Sequence, residues 1–520
     1  MNRVDYDCIV IGGGGAGYAA ASTAAKLGAR VAMVERDRLG GTCLNVGCVP
    51  TKTLVRSAEV LETVRRAAEF GVEVGDIRLD FRAVKARMRS IIAAMSGEGP
   101  EESLREQSIE LLRGNAAFID AQALRVGDRV YRAEQFVIAT GSEPVIPPIP
   151  GFDAVPCLTS DDLLERDDLP ASMLVVGGGI VGCEFASIYN AFGTNVAIVG
   201  SNLLSNEDDD VGEELARAFT ERGIEVLTGS KATGLRREVN STLVSIEYGD
   251  ERTEERPAEV VLLAVGRRPR LDGLNIAAAG VTLSEQGSVE VGPDMATSVP
   301  HIWAAGDVTG MHMYTHAGDY MGEVAGWNAA GGTPKREARL AVVPRPVYSA
   351  PEVAAIGLTE REANELPCGI EVAKVRFADV SRAVINGETG GWCKIIAESR
   401  TGRILGTAIV GPRANELIGE VAVAMDGGVS AWVLGDTLHP YPTVSEIVRW
   451  TADQIGKTSH AEDPDIRRPL YSRELAELTV GGSNTTTGVP VTDEQMSALL
   501  GVHAGYGEEE DCVGEPVGRK

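Results

Sequence analysis

The sequence predicts an α/β chain with two strand–glycine turn–helix units in tandem and a smaller α+β domain behind them. Three observations predict it. Cys8-Ile9-Val10-Ile11 is a short apolar run, read as a buried strand, that leads into Gly12-Gly13-Gly14-Gly15-Ala16-Gly17 and an alanine-rich helix to about Leu27. The same unit returns at Leu174-Val175-Val176, followed by Gly177-Gly178-Gly179-Ile180-Val181-Gly182 and a second helix. Between the two copies, directly after the first, lies a glycine-rich run with two cysteines, Gly40-Gly41-Thr42-Cys43-Leu44-Asn45-Val46-Gly47-Cys48-Val49-Pro50-Thr51-Lys52.

The first unit continues into Val31-Ala32-Met33-Val34, a second strand that ends on Glu35. Strand, GxGxxG, helix, strand and acid in this order form the Rossmann-like pattern of a dinucleotide site. Gly12 and Gly14 permit the turn and a close approach of pyrophosphate, and Gly17 lets the helix pack on the strand. The helix N-terminus faces the phosphates. Glu35 stands at the distance at which an acid hydrogen-bonds a ribose hydroxyl.

In the cysteine run, Gly40, Gly41 and Gly47 let the backbone bend closely around something flat or anionic. Two thiols at this spacing can close a disulfide if the helix start is distorted, and a helix N-terminus favours the thiolate. A redox pair, a metal pair and buried structural thiols are the three readings of such cysteines. A zinc site needs four ligands and no second Cys or His pair lies near, so the redox pair is preferred and no resident metal is expected.

The whole run resembles the active-site signature of the pyridine nucleotide-disulfide oxidoreductases, the family of lipoamide dehydrogenase, glutathione reductase and mercuric reductase. The order of parts matches over roughly residues 4–455. The resemblance implies two Rossmann-like FAD- and NAD(P)-binding domains plus a C-terminal α+β dimerisation domain. It implies FAD at the first unit and NADPH or NADH at the second. Cys48 is then the charge-transfer thiol against the flavin, and Cys43 the interchange thiol that meets substrate. Lys52 lies near the flavin ring, with Gly41 and Thr42 along the cofactor. Phe136-Val137-Ile138-Ala139-Thr140-Gly141 resembles the element that closes the FAD domain, which puts Thr140 and Gly141 on the cofactor. The prolines at 144, 147, 148 and 150 mark a stiff linker.

In the second unit the resemblance places Gly177, Gly179 and Gly182 on the nicotinamide cofactor and pairs Glu184 with Lys52. The step from Gly12 to Glu35 is the step from Gly177 to Gly200, so the acidic position is a glycine here. Loss of the carboxylate removes repulsion against a 2′-phosphate, yet Ser201, Asn202, Ser205 and Asn206 carry no charge and Glu207 to Asp210 are acidic. NADPH is therefore permitted without a strict preference. This stretch is more similar to mercuric reductases than to lipoamide dehydrogenases. Gly266, in Val260–Pro269, closes the second domain on the cofactor, and Ile302-Trp303-Ala304-Ala305-Gly306-Asp307 resembles the second FAD element, with Gly306 and Asp307 on the cofactor's polar chain. The division that follows is 1–150 and 270–337 for FAD, 151–269 for NAD(P), 338–460 for dimerisation, and an acidic tail at 461–520. The tail's composition predicts disorder apart from a short helix at Asp493–Leu500, and Cys512 in it reads as a stray thiol.

Leu438-His439-Pro440-Tyr441-Pro442-Thr443-Val444-Ser445-Glu446 is similar to the family's C-terminal active-site loop, in which a histidine is acid/base and a glutamate orients it. Counting back from Glu446 lands on Tyr441, with His439 two residues earlier. Mercuric reductases also place a tyrosine there. A tyrosine, with an ordinary pKa near ~10, is a poor base at neutral pH but can donate a hydrogen bond or ligate a soft metal ion. The opposing reading has Tyr441 merely packing at an interface and His439 serving as base.

The remaining sequence bounds the setting. A formal net charge of −26 disfavours nucleic acid and anionic membrane as partners. No segment approaches the ~18 apolar residues of a membrane span, and the short polar start shows no signal-peptide pattern, which makes a cytoplasmic location the default. Eight cysteines in 520 residues do not make a disulfide scaffold, so Cys8, Cys157, Cys183, Cys368 and Cys393 are expected to be reduced. The expected protein is a homodimeric flavoenzyme that passes electrons from NAD(P)H through Cys43–Cys48 to a small-molecule or metal-ion substrate, with a mercury(II) reductase-like acceptor favoured. The alternatives are a dihydrolipoamide dehydrogenase or other disulfide reductase, and a flavin-binding sensor or structural protein without turnover.

Overall fold

The apolar runs around residues 8–11 and 31–34 are the central strands of the first sheet, and every residue of Val31–Glu35 is buried. The computed structural model describes residues 4–96, 99–155 and 157–456. The expectations for the 461–520 tail, the Asp493–Leu500 helix and Cys512 lie outside these residues. The chain forms a larger unit up to Val353 and a smaller one from Ala354 onward.

In the larger unit, Tyr6–Ile11 lies parallel between Val31–Glu35 and Arg129–Ile138, with Glu110–Arg113 outside Val31–Glu35. The chain comes back much later to add Ile302–Ala304 parallel to Arg129–Ile138. Cys8–Ile11 and Val31–Val34 are continuous apolar runs because both faces are covered, as parallel sheets require. The helix Gly15–Lys26 covers one face and is clasped by Thr315–Ala329. The clasp is a backbone contact. A methyl at Gly322 would stand 2.2 Å from the Ala16 carbonyl oxygen, and one at Gly326 would stand 2.2 Å from that of Ala20. Small residues thus bring the first half of Gly15–Lys26 against the later turns of Thr315–Ala329.

The second sheet repeats the design. Ser172–Val176 lies between Asn195–Val199 and Val260–Leu263, all parallel, and the helix Ile180–Phe192 follows the glycine turn. A three-stranded antiparallel sheet, Ser230–Arg237, Thr242–Tyr248 and Thr253–Ala258, packs beside it.

The stretch from about 54 to 112 reads from sequence as helical, and the structure corrects this in its middle and at its C-terminal end. Helices run over Cys48–Arg65, Phe81–Ser96 and Gly99–Glu106. Gly71, at φ +73°, ends a short 3-10 turn over Ala67–Phe70 that follows the first of these helices, and Glu110–Arg113 is a strand captured by the open edge of Val31–Glu35. Tertiary pairing overrides local propensity there.

The smaller unit is a sheet in which Ile404–Val410 and Trp392–Glu398 pair antiparallel, flanked by Val353–Gly357 and Ile370–Arg376. Every residue of the two central strands is buried, because Ala414–Asp426 and Glu446–Gln454 pack on them. No helix among the described residues is long and apolar enough to cross a membrane.

Candidate active site

The two glycine turns are near copies in three dimensions. Gly12 and Gly177 have φ of +111° and +115°, a region that favours glycine. A Cβ on Gly17 would lie 1.9 Å from the Gly12 carbonyl oxygen, and one on Gly182 would lie 2.1 Å from that of Gly177. Only hydrogen fits at either place, so each helix starts hard against its strand with its first N–H groups aimed outward. Gly41 closes on the first turn from the other side, where its Cβ would meet the Gly14 Cα at 2.8 Å. Glu35 is buried beside this cradle and accepts the Gly13 N–H at 2.8 Å and the Asp37 N–H at 2.7 Å. In the second unit Gly200 stands where Glu35 stands in the first, and its missing Cβ would lie 3.1 Å from the Gly178 nitrogen. The nearby charge is Arg345, which binds Glu207 through two bonds of 2.7 Å, both side chains nearly buried. Arg345 thus brings a cation to the acidic end of this loop from a distant part of the sequence, paired with Glu207.

The cysteines sit on a broken helix. Gly41–Val46 and Cys48–Arg65 are separated at Gly47, where a Cβ would stand 2.9 Å from the Thr42 carbonyl oxygen. Cys48 therefore opens a long helix, where the unpaired N–H groups favour a thiolate. Both residues are thiols here. A hydrogen bond from Cys43 pulls Cys48 down to about 6 against the opposing effect of burial, with the Thr315 hydroxyl, 3.4 Å from its sulfur, and Lys52 adding to the fall. The same bond and burial push Cys43 up. The pair is thus polarised: one sulfur holds charge and the other holds the proton.

One turn further on, Lys52 meets Glu184. Its Nζ donates to both carboxylate oxygens, at 2.9 and 2.8 Å, with the glutamate side chain almost fully buried. Glu184 also accepts the Tyr348 N–H at 3.0 Å, and the Tyr348 ring lies 4.4 Å from the lysine nitrogen. Thr140 carries a buried hydroxyl oxygen with no hydrogen-bond partner. Asp307 accepts from the Ser142 hydroxyl, which in turn accepts from Arg267 Nε at 2.8 Å. Gly141, Gly266 and Gly306 all take positive φ at the strand ends that border these groups.

In the smaller unit the C-terminal loop divides its two candidates. The His439 ring is buried, with Nδ1 facing the Thr437 carbonyl at 3.0 Å and Nε2 facing Glu420 at 2.6 Å. Tyr441 is 73% exposed, its hydroxyl 3.5 Å from Ser381. Glu446, expected to orient the acid/base residue, is buried and accepts the Thr443 N–H at 3.2 Å; the acid that holds His439 is Glu420.

Residues 6–331 match the family described as pyridine nucleotide-disulphide oxidoreductase, and residues 343–452 match its dimerisation domain. The chain belongs to the pyridine nucleotide-disulphide oxidoreductases. It is similar to a dihydrolipoyl dehydrogenase of Bacillus subtilis, with 36% identity over 87% of this chain and 99% of the relative. It is also similar to a mercuric reductase of Bacillus cereus, with 33% identity over 85% of this chain and 70% of the relative. Among solved structures it resembles the Cu(II) complex of the HOCl-induced flavoprotein disulfide reductase RclA from Escherichia coli, with a TM-score of 0.78 and 30% identity over 88% of this chain and all of that one.

As a member of this family the protein is an FAD-containing, NAD(P)H-dependent oxidoreductase with a redox-active disulfide and a dimerisation domain. The residues present fit FAD: a cradle that Cβ atoms would fill, the orphan Thr140 hydroxyl, and Glu35 at the strand end. The second cradle, built on the same glycine turn, fits a nicotinamide dinucleotide. Sequence reasoning missed Thr315, Tyr348 and the Ser142–Arg267 relay to Asp307. Arg267 sits in the quoted run Val260–Pro269, a signal that was available, whereas Thr315 and Tyr348 carry no motif and are brought in by the returning chain.

Proposed function

We propose that this oxidoreductase passes electrons from NAD(P)H through Cys43 and Cys48 to a thiol-bound soft metal ion, with mercury(II) as the type case. The observation that carries the reading is the loop at His439–Glu446. Both nitrogens of His439 face acceptors, so neither is free to take a proton from a substrate thiol. Tyr441, the exposed side chain, is a poor base near neutral pH. Disulfide exchange needs a proton moved between substrate sulfur and Cys43, help worth roughly 10²–10⁴ in rate. Metal reduction needs none: the ion takes two electrons, its thiolate ligands leave, and NAD(P)H is oxidised with release of a proton. The copper complex formed by the RclA neighbour supports metal handling on this scaffold.

The chain's own groups divide the work. Gly12, Gly14, Gly17, Glu35, Gly41, Thr42, Thr140, Gly141, Gly306 and Asp307 hold FAD, which when bound supplies the two-electron link between nicotinamide and thiols. Gly177, Gly179, Gly182, Gly200 and Gly266 hold the nicotinamide dinucleotide, with NADPH accepted and NADH only modestly disfavoured. Lys52, held in place by Glu184, puts a positive charge near Cys48 that favours its thiolate against the smaller opposing effect of Glu184. Cys43 meets the acceptor. Tyr441 acts across a homodimer, on Cys43 of the partner subunit, and Glu446 holds the loop. The boundaries 1–150, 151–269, 270–337 and 338–460 belong to this reading, supported by the return of Ile302–Ala304 to the first sheet. A cytoplasmic setting fits the cysteines, all free thiols among the described residues.

A second reading, dihydrolipoyl dehydrogenase, is favoured by the Bacillus subtilis relative. Tyr441→Phe separates the two. It lowers mercury(II) reduction and leaves reduction of the bound flavin by NADPH intact. Unchanged metal reduction in Tyr441→Phe contradicts the proposal.

A further inference from the structure

Asp319 is not explained by the site described above. It lies four residues after Thr315 in the helix Thr315–Ala329, where that helix touches the first turn of Gly15–Lys26. The heavy atoms nearest to where a Cβ on Gly15 would stand all belong to it: Oδ1 at 2.2 Å, Cγ at 3.3 Å and Oδ2 at 3.7 Å. Oδ1 is buried and has no hydrogen-bond partner. Position 15 carries no side chain of its own, and the carboxyl group from the neighbouring helix fills the space one would take. Gly15 ends the four-glycine turn and starts the helix, at the place where the pyrophosphate of a dinucleotide docks.

We propose that Asp319 is a positioning residue for FAD, its carboxyl group hydrogen-bonding a phosphate oxygen of the cofactor from the place that Gly15 leaves open. A phosphate oxygen only accepts, so the carboxyl group must donate. It does so as the neutral acid, with its proton taken from solvent. Burial and Glu323 push the Asp319 carboxyl group up, against the pull of His316. Cys43 is the titrating group that feels it from the cysteine helix, and the first turn of Gly15–Lys26 carries no acid. Bound phosphate acts in the same direction as Glu323. The carboxyl's pKa is therefore higher with FAD than without it. FAD is held best below the lower of the two values, and its affinity falls by up to about tenfold per pH unit between them.

The test is FAD release from diluted holoenzyme, read as the rise in flavin fluorescence from acid to alkaline pH. Wild type releases FAD faster as pH rises. Asp319→Asn, which can still donate but cannot ionise, holds FAD with a flat profile across the same range. Asp319→Ala releases it roughly 10–100-fold faster at acid pH. Gly15→Ser added to Asp319→Ala puts a hydroxyl donor into the vacated space and slows release again. A wild-type slope in Asp319→Asn, or a wild-type rate in Asp319→Ala, overturns the proposal. If Asp319→Ala does not fold with FAD, the profile of Asp319→Asn decides alone.

Discussion

Two sulfurs one helical break apart differ in charge because their surroundings differ. Cys48 opens a long helix, receives the Cys43 hydrogen bond, and has Thr315 and Lys52 beside it; Cys43 gives up its proton to none of these. In Cys43→Ser the serine still donates and Cys48 is free, so the thiolate–flavin absorbance at long wavelength is expected without any reductant. Cys48 is an acid with a lowered pKa, so its thiolate persists above about pH 6 and the band fades as pH falls through that value. Thr315→Val removes one stabilising hydroxyl and raises the midpoint by roughly 0.5–1 pH unit. Absorbance titration of the two variants checks this. The band in Cys48→Ser instead, or an unmoved midpoint in Thr315→Val, contradicts the assignment. The distortion that would let the two cysteines meet was legible from the glycines of the run, and Gly47 breaks the helix between them; which sulfur faces the flavin rests on the family resemblance. Thr315 was not legible, because nothing near it in sequence announces that it will face Cys48.

At the scale of elements, the glycine repeat was legible because its glycines are the ones that no Cβ can replace: Gly12, Gly17, Gly177 and Gly182 each abut a carbonyl oxygen. The outlook of the second unit toward its cofactor was legible only in part. Gly200 could be read as a missing acid, whereas the Arg345–Glu207 pair joins residues far apart in sequence and appears only once the chain has folded back. Gly200→Glu places a carboxylate beside the Gly178 N–H, as Glu35 lies beside Gly13. It is expected to weaken NADPH at least about tenfold, by repulsion of the 2′-phosphate, and to leave NADH within a few-fold. Steady-state KM values for both nucleotides measure it, and equal losses would show that position 200 is away from the ribose. The C-terminal loop shows the limit of motif reading. Its histidine and tyrosine were both visible, but Glu420, which holds the His439 ring, sits on the helix Ala414–Asp426, away from the loop in sequence.

In the function proposed above, the whole molecule completes its site by pairing through the dimerisation domain. Leu438 at 88% and Val423 at 73% exposure are large apolar side chains on the smaller unit, and burying each in a partner is worth roughly 1.5–3 kcal/mol. The double variant Val423→Asp with Leu438→Asp is expected to shift the protein toward monomer in sedimentation, with reduction of its flavin by NADPH retained; a dimer of unchanged affinity places the interface elsewhere. The central claim concerns the acceptor. Its most direct measurement is NADPH oxidation by the purified enzyme with thiol-bound mercury(II), lipoamide and glutathione disulfide in parallel, in wild type, Tyr441→Phe and His439→Ala. Turnover with mercury(II), weak turnover with both disulfides, and a greater loss of metal reduction in Tyr441→Phe than in His439→Ala are expected. Brisk lipoamide turnover by wild type, lost in His439→Ala and kept in Tyr441→Phe, would contradict that claim and leave a lipoamide dehydrogenase with a displaced base.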